Sequence, residues 1–578
     1  MRDPYGIILI NFFLCALLAV SILIYKLRYP KKKINLLTLL IIISIIPIIS
    51  TFRPGTYESG DLTQHSVLLQ SFFENLRDGI LIPQWAGGLC AGYGCPIFIY
   101  LYTMPFYLGA FFHLLGFSFL DSTKLILASS YVLSGITMYF LVKDEAGDTP
   151  AFIASLLYIF APIRFIQMHF VASVGSSTVY IFIPLALLFA KKSLDGKLSY
   201  IVLYSINFLF LVLSHSSAAI IVVPISLAYA FIKKKEMKQM IYLLLSVLFG
   251  VGLSAFYILP MLFELKYTWL NVSFNFISGF RGFLDYFYSY AGYGLLFQDH
   301  NGKSILFIGY AQLFILLYVF YSLVKNNYEN KDKKIILFLL LVFSLLFAFL
   351  QSFTSIIWNN FYFLKSFQAS GRLLVEIAFV LAFLGGIILK RWNKLALTFF
   401  CVFVIISTIL NWQYRKMVPL DKNAYYRYGA SVYSEYFEPN NPVYLLRYKT
   451  RINKIDLLKE RPTSHLEILS GKGEIKEISR TQINHEYIVK ANTNLQLSEN
   501  TYYFPGWKIY ANAKQLPLNI TNKKSFGTLT FSVPRGSYII DAKFEDTDVR
   551  KFGKFISIVS FLVLTSALLV VFRGFKKK

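Results

Sequence analysis

The chain has 578 residues, of which 56% are hydrophobic and only 15% are charged. This composition lies far outside the soluble globular range. A net charge of +26 would suit a nucleic-acid-binding protein, but the basic residues cluster in short breaks between apolar stretches, which is the positive-inside pattern. The sequence therefore predicts a polytopic α-helical protein of the cytoplasmic (plasma) membrane, with membrane lipid and no nucleic acid among its partners.

Apolar stretches of about 20 residues, long enough to cross a bilayer as helices, recur along the chain. The first, residues 6–25, is too long for a cleaved signal and precedes basic residues, so we expect it to remain as an anchor. Placing every basic break inside predicts about 13 transmembrane helices, with the N-terminus outside and the C-terminus inside. The spans are predicted at 6–25, 34–51 and 125–142, near 150, 176, 198, 216 and 240, at 304–324, near 335, 373 and 394, and at 553–573.

One apolar segment, residues 97–116, has no place in this topology, because its crossing would put every later basic break outside. We interpret it as an interfacial or re-entrant segment rich in aromatic anchors. The alternative is that 150–163, which is short, fails to cross and 97–116 spans. The sequence leaves both open.

The domains follow from these spans. Residues 1–411 form a transmembrane domain, in which 52–124 is the first outer loop with interfacial or re-entrant helices. In residues 412–552 apolar residues alternate, as in "TLTFSV" and "YIIDAKF", between turn signals such as "FPGW" and "PRG", which predicts strands. We expect an extracytoplasmic, β-sandwich-like domain inserted before the last helix. Residues 553–578 form that helix and a basic cytoplasmic tail.

Ionisable residues at membrane depth are informative, because each costs about 2.5–3.5 kcal/mol unless paired or wetted. The topology puts all such residues near the outer ends of spans, with nothing comparable at the inner ends. A wet cavity that opens outward would explain this arrangement. The candidates are Asp61, with Glu58 beside it, His65, Arg164, His169, His215, Glu264, Lys266, Arg372 and Glu376.

Each candidate also has a purely structural interpretation. Asp61 could be the N-cap of an amphipathic helix in the first outer loop, with His65 one turn later on the same face. Arg372 and Glu376 are four residues apart and could neutralise each other. His215 could be a buried histidine with satisfied hydrogen bonds.

The ligand class is narrowed by absent motifs. The chain has neither a Walker-type nor a Rossmann glycine fingerprint, and its histidines and cysteines lack zinc spacing. A lipid phosphate at the outer leaflet, met by an arginine, fits better than a soluble nucleotide.

Several stretches resemble known membrane proteins. The acidic first outer loop, "GYGCPIFIYLYTMPFYLGAFFHLLG" and "ASLLYIFAPIRF" resemble the GT-C superfamily of polytopic glycosyltransferases. "LSHSSAAIIVVP", "ILPMLFELKYT", "FQASGRLL" and "YYFPGWKIYANAKQL" resemble the bacterial membrane family named after 6-pyruvoyl-tetrahydropterin synthase, and its YfhO-like relatives. The synthase name does not fit the chemistry, because that enzyme holds zinc with three grouped histidines and the histidines here are scattered.

The GT-C resemblance implies transfer of a sugar from a polyprenyl-phosphate-linked donor to an envelope glycan, lipid or protein acceptor on the outer face. Asp61 matches the first-loop acid, the general base, although Glu58 remains an alternative because no second acid adjoins Asp61. Arg372 or Arg164 would supply positive charge to the departing phosphate.

The remaining candidates would contact substrate. His215 and His65 would hydrogen-bond the phosphate or the sugar, and Glu264 would bind sugar hydroxyls. We expect metal-independent, inverting transfer without a cofactor, the lipid-linked sugar being a substrate.

Two other functions use the same features. A lipid-linked glycan transporter would need related halves with interrupted helices, and no internal repeat is found. A non-catalytic envelope assembly factor would act through the outer β-domain alone.

Overall fold

The computed structural model describes residues 4–234, 236–268, 280–287, 306–325, 328–361, 364, 367, 369–412, 417–418, 462–520 and 527–575. Helices form where apolar runs leave backbone groups no partner except one another. In the first part of the chain the α-helices are α1 (Pro4–Arg28), α2 (Leu36–Ile45), α3 (Leu62–Arg77), α4 (Ile97–Tyr100), α5 (Met104–Leu114), α6 (Phe119–Ala146), α7 (Asp148–Ile159), α8 (Pro162–Phe165), α9 (Val174–Ser193), α10 (Leu198–Ser214), α11 (Ser216–Lys233) and α12 (Gln239–Phe263).

The later helices include the most buried one and the last one. These are α13 (Tyr310–Val324), α14 (Asn330–Phe349), α15 (Ser355–Asn360), α16 (Leu374–Ile388), α17 (Lys394–Ile406) and α18 (Asp548–Phe575). Every residue of α16 is buried, and this helix packs against α7, α13 and α14 at the centre of the bundle. The last helix packs along α12 and begins at Asp548 rather than at 553.

The described residues contain fewer helices of spanning length than the sequence predicts. Among the described residues, eight helices are long and apolar enough to cross a membrane, or up to ten if each of two bent pairs is one span. The expected count of about 13 is therefore not confirmed, although the chain is a multi-pass helical protein. When each bent pair counts as one span, three shorter apolar helices at predicted spans account for the difference: 36–52, 198–214 and 310–324.

Both segments that the sequence left open are broken helices. Residues 97–116 divide into α4 and α5, and α5 has only 11 residues, fewer than a span needs. The segment near 150 ends at Ile159 and resumes at Pro162 with a bend of 50°. Proline explains this break, because it cannot continue a helix hydrogen-bond ladder and favours the first turn of a new one.

Charged residues do gather at the ends of helices that the basic breaks place inside, so the expectation that nothing comparable lies there is wrong. The buried Glu145 carboxylate on α6 forms ion pairs with Lys191 on α9 and Lys233 on α11, and accepts a hydrogen bond from Tyr229. This network ties three helices together at one end of the bundle.

The C-terminal part of the chain contains a two-sheet antiparallel β-domain. After the short pair β1 (Thr56–Tyr57) and β2 (Met417–Val418), its strands are β3 (Leu466–Ser470), β4 (Gly473–Arg480), β5 (Asn484–Ala491), β6 (Leu495–Tyr502), β7 (Trp507–Ala511), β8 (Lys514–Leu516), β9 (Thr528–Val533) and β10 (Gly536–Phe544). One sheet has the order β4-β5-β10-β7-β8 and the other β3-β6-β9. Residues 419–461, the irregular beginning of the predicted domain, lie outside the described residues.

A buried polar cluster lies between the sheets. The Glu499 carboxylate accepts hydrogen bonds from Arg480 (3.0 Å), His485 (2.8 Å) and Tyr487 (3.2 Å). Burial raises the pKa of Glu499, but these donors outweigh burial and hold it at about 2. The carboxylate is therefore ionised and stabilises the domain at neutral pH.

The first outer loop is built into this β-domain. Trp85 and Ile99 belong to the domain's hydrophobic core, where the Trp85 ring centroid lies 5.4 Å from that of Trp507. The Gln482 side chain accepts a hydrogen bond from the Gly87 amide at 2.8 Å. Loop and domain therefore share one core and hold each other in place.

A buried ion pair joins the end of α12 to the start of α18, directly after the β-domain. Arg550 donates from Nε and Nη2 to the Glu264 carboxylate at 3.0 and 2.8 Å, and both side chains are buried. The Thr547 hydroxyl donates to the other carboxylate oxygen.

Candidate functional site

The segment that carries Asp61 is held by backbone hydrogen bonds to a distant turn. The amides of Gly60 and Asp61 donate to the carbonyls of Phe170 and Val171 at 2.9 and 2.8 Å. These acceptors belong to a π-helical turn, Ile166–Val171, a geometry found mostly at functional sites. The contact places the start of α3 beside the start of α9.

Asp61 occupies the N-cap position of α3, but its side chain makes no capping hydrogen bond. The Ser59 hydroxyl accepts the Leu62 amide instead, at 3.2 Å. Burial raises the pKa of the Asp61 carboxyl, and the Arg372 guanidinium lowers it only in part. Asp61 is thus a half-buried carboxylate within electrostatic range of Arg372, and the capping explanation does not account for its side chain.

Tyr102, which no sequence pattern singles out, contacts both His65 and His215 near this carboxylate. Its hydroxyl lies 3.2 Å from His65 Nε2, and its ring stacks on the His215 ring with centroids 5.9 Å apart. A β-carbon at Gly175 would lie 2.6 Å from the tyrosine ring, so only glycine leaves room for it there. Burial lowers the pKa of His65 to about 3, which keeps this imidazole neutral.

Arg372, His215 and Ser217 form a hydrogen-bonded row. Arg372 Nη1 lies 3.3 Å from His215 Nε2, and His215 Nδ1 lies 2.6 Å from the Ser217 hydroxyl. Burial and then the Arg372 charge lower the pKa of His215 to about 3. The histidine between the arginine and the serine is therefore uncharged.

This row lines a small cavity at the start of α11. Glu376 also lines it, is 3% exposed, and forms no salt bridge with any described residue. The suggested mutual neutralisation of Arg372 and Glu376 is therefore not seen. The cavity is lined by Ser176, Val179, His215, Ser217, Ala218, Phe367, Arg372, Val375 and Glu376.

Two predicted residues are engaged elsewhere in the bundle. The Arg164 guanidinium stacks 3.7 Å above the Tyr180 ring and donates to the Ser134 hydroxyl at 3.0 Å. His169 is fully buried, and its ring stacks on Phe165. Neither lines the cavity.

The other predicted residues also lie away from the cavity. Glu264 is bound by Arg550, and Lys266 is exposed, with its ammonium 5.1 Å from the Tyr267 ring centroid. Glu58 is exposed. The structure thus brings together Asp61, His65, His215, Arg372 and Glu376.

Metal binding has no evident location in the part of the chain that the structure describes, since no three His, Cys, Asp or Glu side chains there could hold an ion together.

The sequence did not single out Tyr102 and Ser217, because a single tyrosine or serine carries no pattern. A faint signal existed for Ser217, since it follows His215 in "LSHSS" at a predicted helix start.

Comparison with known proteins gives remote similarities. No family model matches the chain. An uncharacterized protein of Lactococcus lactis subsp. cremoris (strain MG1363) is 27% identical over 321 residues, which are 51% of this chain and 50% of that protein. The chain thus matches about half the length of this curated relative.

The chain is remotely similar to several solved structures. ArnT from Cupriavidus metallidurans, bound to undecaprenyl phosphate, is 11% identical with a TM-score of 0.40, over 64% of this chain and 62% of that chain. Mycobacterial arabinofuranosyltransferase AftD is 10% identical with a TM-score of 0.42, over 64% and 26%. Oligosaccharyltransferase AglB from Archaeoglobus fulgidus, in complex with an inhibitory peptide and a dolichol-phosphate, is 15% identical with a TM-score of 0.37, over 73% and 58%. These values are too low to assign a function, which depends on the site itself.

Proposed function

We propose that the chain is a membrane glycosyltransferase that moves a sugar from a polyprenyl-phosphate-linked donor to an envelope acceptor at the outer face of the plasma membrane. One observation carries this proposal: the Asp61 carboxylate, which caps no helix, lies within electrostatic range of the cavity-lining Arg372. A carboxylate within electrostatic range of a guanidinium suits a reaction in which a proton is removed and a phosphate departs.

The reaction needs one base and one anion-binding group. Asp61 takes the proton of the acceptor hydroxyl as its oxygen attacks the anomeric carbon, and the bond from that carbon to the phosphate oxygen breaks. The phosphate keeps the bonding electrons, so it requires positive charge and no proton. Arg372 supplies that charge, and attack opposite the leaving group inverts the anomeric centre.

The choice of base favours Asp61 over Glu58. Burial raises the pKa of Asp61, which makes it a stronger base than an ordinary carboxylate, whereas Glu58 is exposed. His65 and Tyr102 would hold the acceptor beside Asp61. No metal enters this mechanism.

Glu376 would bind the sugar. It lies four residues after Arg372 and lines the same cavity. A carboxylate accepts hydrogen bonds from sugar hydroxyls, and its burial without an ion pair to a described residue is costly unless a ligand or water meets it.

The competing functions have less support. A transporter must open its cavity alternately to both sides, and the buried Glu145 network fastens α6, α9 and α11 at their inner ends. An assembly factor acting through the outer domain alone would need that domain to be independent, but Trp85 of the first outer loop belongs to its core.

The test compares Asp61→Asn with the matched control Glu58→Gln in cells that lack the native gene. Mass spectrometry of envelope glycans and lipid-linked sugars should show loss of the glycan product and accumulation of the donor for Asp61→Asn, at normal protein abundance. Glu58→Gln should restore the product. Normal product from Asp61→Asn would overturn the assignment of the base, and an unchanged glycan profile after gene deletion would overturn the enzyme proposal.

A further inference from the structure

We propose that Ser217 directly donates a hydrogen bond to the phosphate of the lipid ligand, and that Arg372 and His215 orient its hydroxyl for this purpose. The inference rests on the phosphate site of the proposed function and adds a binding residue to it. It follows from the direction of the hydrogen bonds in the Arg372, His215, Ser217 row.

Arg372 determines the direction of the hydrogen bonds in this row. A guanidinium has donors and no acceptor, so His215 Nε2, 3.3 Å from Arg372 Nη1, must accept. A neutral imidazole carries one proton, which therefore sits on Nδ1. Nδ1 donates to the Ser217 oxygen at 2.6 Å, so the serine proton points to another acceptor.

That acceptor is not the usual helix carbonyl. Helical serines commonly donate to the carbonyl four residues earlier, as Ser205 does to Ile201 and Ser246 to Tyr242. The corresponding carbonyl for Ser217 is that of Leu213, which already accepts the Thr103 amide at 2.9 Å. The only hydrogen bond that the Ser217 hydroxyl makes with the described residues is the one from His215.

The surroundings favour an anion. Ser217 lies in the first turn of α11, an 18-residue helix whose amide dipoles attract negative charge at this end. Ser217 and Arg372 line the same cavity. A phosphate with several acceptor oxygens can meet both donors, and its hydrogen bonds, being charge-assisted, are stronger than those that a neutral alcohol accepts.

The test measures binding of the full-length protein in lipid nanodiscs to farnesyl phosphate and to farnesol, which lacks the phosphate. Ser217→Ala should weaken farnesyl phosphate binding about tenfold, the loss of one hydrogen bond to a charged group, and leave farnesol binding unchanged. Ser217→Thr, which keeps the hydroxyl, should restore phosphate binding. The neighbouring Ser216→Ala is the matched control and should bind both as the unmodified protein does.

Two results would overturn the inference. Unchanged phosphate binding by Ser217→Ala would show that the hydroxyl does not contact the phosphate. Equal loss of both ligands in Ser217→Ala would show a structural effect. If the unmodified protein itself binds both ligands equally, the phosphate site of the proposed function fails as well, so the two failures are distinguishable.

Discussion

Replacing Glu264 by glutamine should destabilise the protein rather than alter sugar recognition. The change removes the negative charge from a carboxylate that accepts two hydrogen bonds from Arg550 and one from Thr547. The Arg550 side chain is 0% exposed, so water cannot replace the lost charge. Two backbone carbonyls, at Pro505 and Glu545, remain as acceptors.

The magnitude follows from burial. Breaking a buried ion pair by removing one partner costs about 3–5 kcal/mol, because the other charge is left uncompensated. Glutamine keeps the shape and one acceptor oxygen, so we expect the lower end, about 3 kcal/mol. Replacing both partners, as in Glu264→Met with Arg550→Leu, should bring stability back to within about 1 kcal/mol of the original protein.

The assay is thermal unfolding in detergent, followed by tryptophan fluorescence and by protease cleavage of the β-domain. The single variant should unfold at lower temperature and expose the domain to protease, and the double variant should recover. A single variant as stable as the original protein but slower in sugar transfer would refute this reasoning and restore Glu264 as a sugar ligand.

Three further predictions concern pH and packing. Because burial raises the pKa of Asp61, transfer should decline on acidification at a higher pH than for an ordinary carboxylate. Arg372→Gln removes a charge that lowers this pKa, so the pH-rate profile should shift further upward, and an unshifted profile would contradict the coupling. Gly175→Ala should displace the Tyr102 ring, because the new β-carbon would approach that ring to 2.6 Å. We expect kcat/KM to fall about tenfold, or 1.4 kcal/mol. Unchanged kinetics would show that Tyr102 does not belong to the site. The pKa of Glu499 in the folded protein is about 2, below its usual 4.5. Its contribution to the stability of the β-domain should therefore be complete above pH 4.5 and be lost as the pH falls toward 2. Acid unfolding curves of Glu499→Gln should lack this loss of stability.

The spacing of hydrophobic residues predicted strands and helices well where one face of the element is buried and the other is exposed. The predicted strand "TLTFSV" is β9, Thr528–Val533, because alternating burial is visible in the sequence itself. The helix count was harder, since length and composition alone do not distinguish a span from a broken helix such as the pair joined at Pro162.

The site was predicted only in part, because a sequence does not reveal what satisfies a buried polar group. Asp61 lies within electrostatic range of Arg372, which lies 3.3 Å from His215. Arg164 is also an ionisable residue at membrane depth and was therefore an equally strong candidate. In the structure, however, its charge is stabilised by the face of the Tyr180 ring. Glu264 finds its partner 286 positions away, a separation at which no local pattern can signal pairing.

The shared core of the first outer loop and the β-domain has a consequence for how the chain is made. Trp85 is synthesised early, whereas Trp507, on which it packs, follows only after most of the helices have been inserted. The loop that carries Asp61 therefore lacks its packing partner during most of translation. Chains released before the last strands would be inserted in the membrane with Trp85 unpacked, so the first outer loop reaches its final packing only when the C-terminal part is complete.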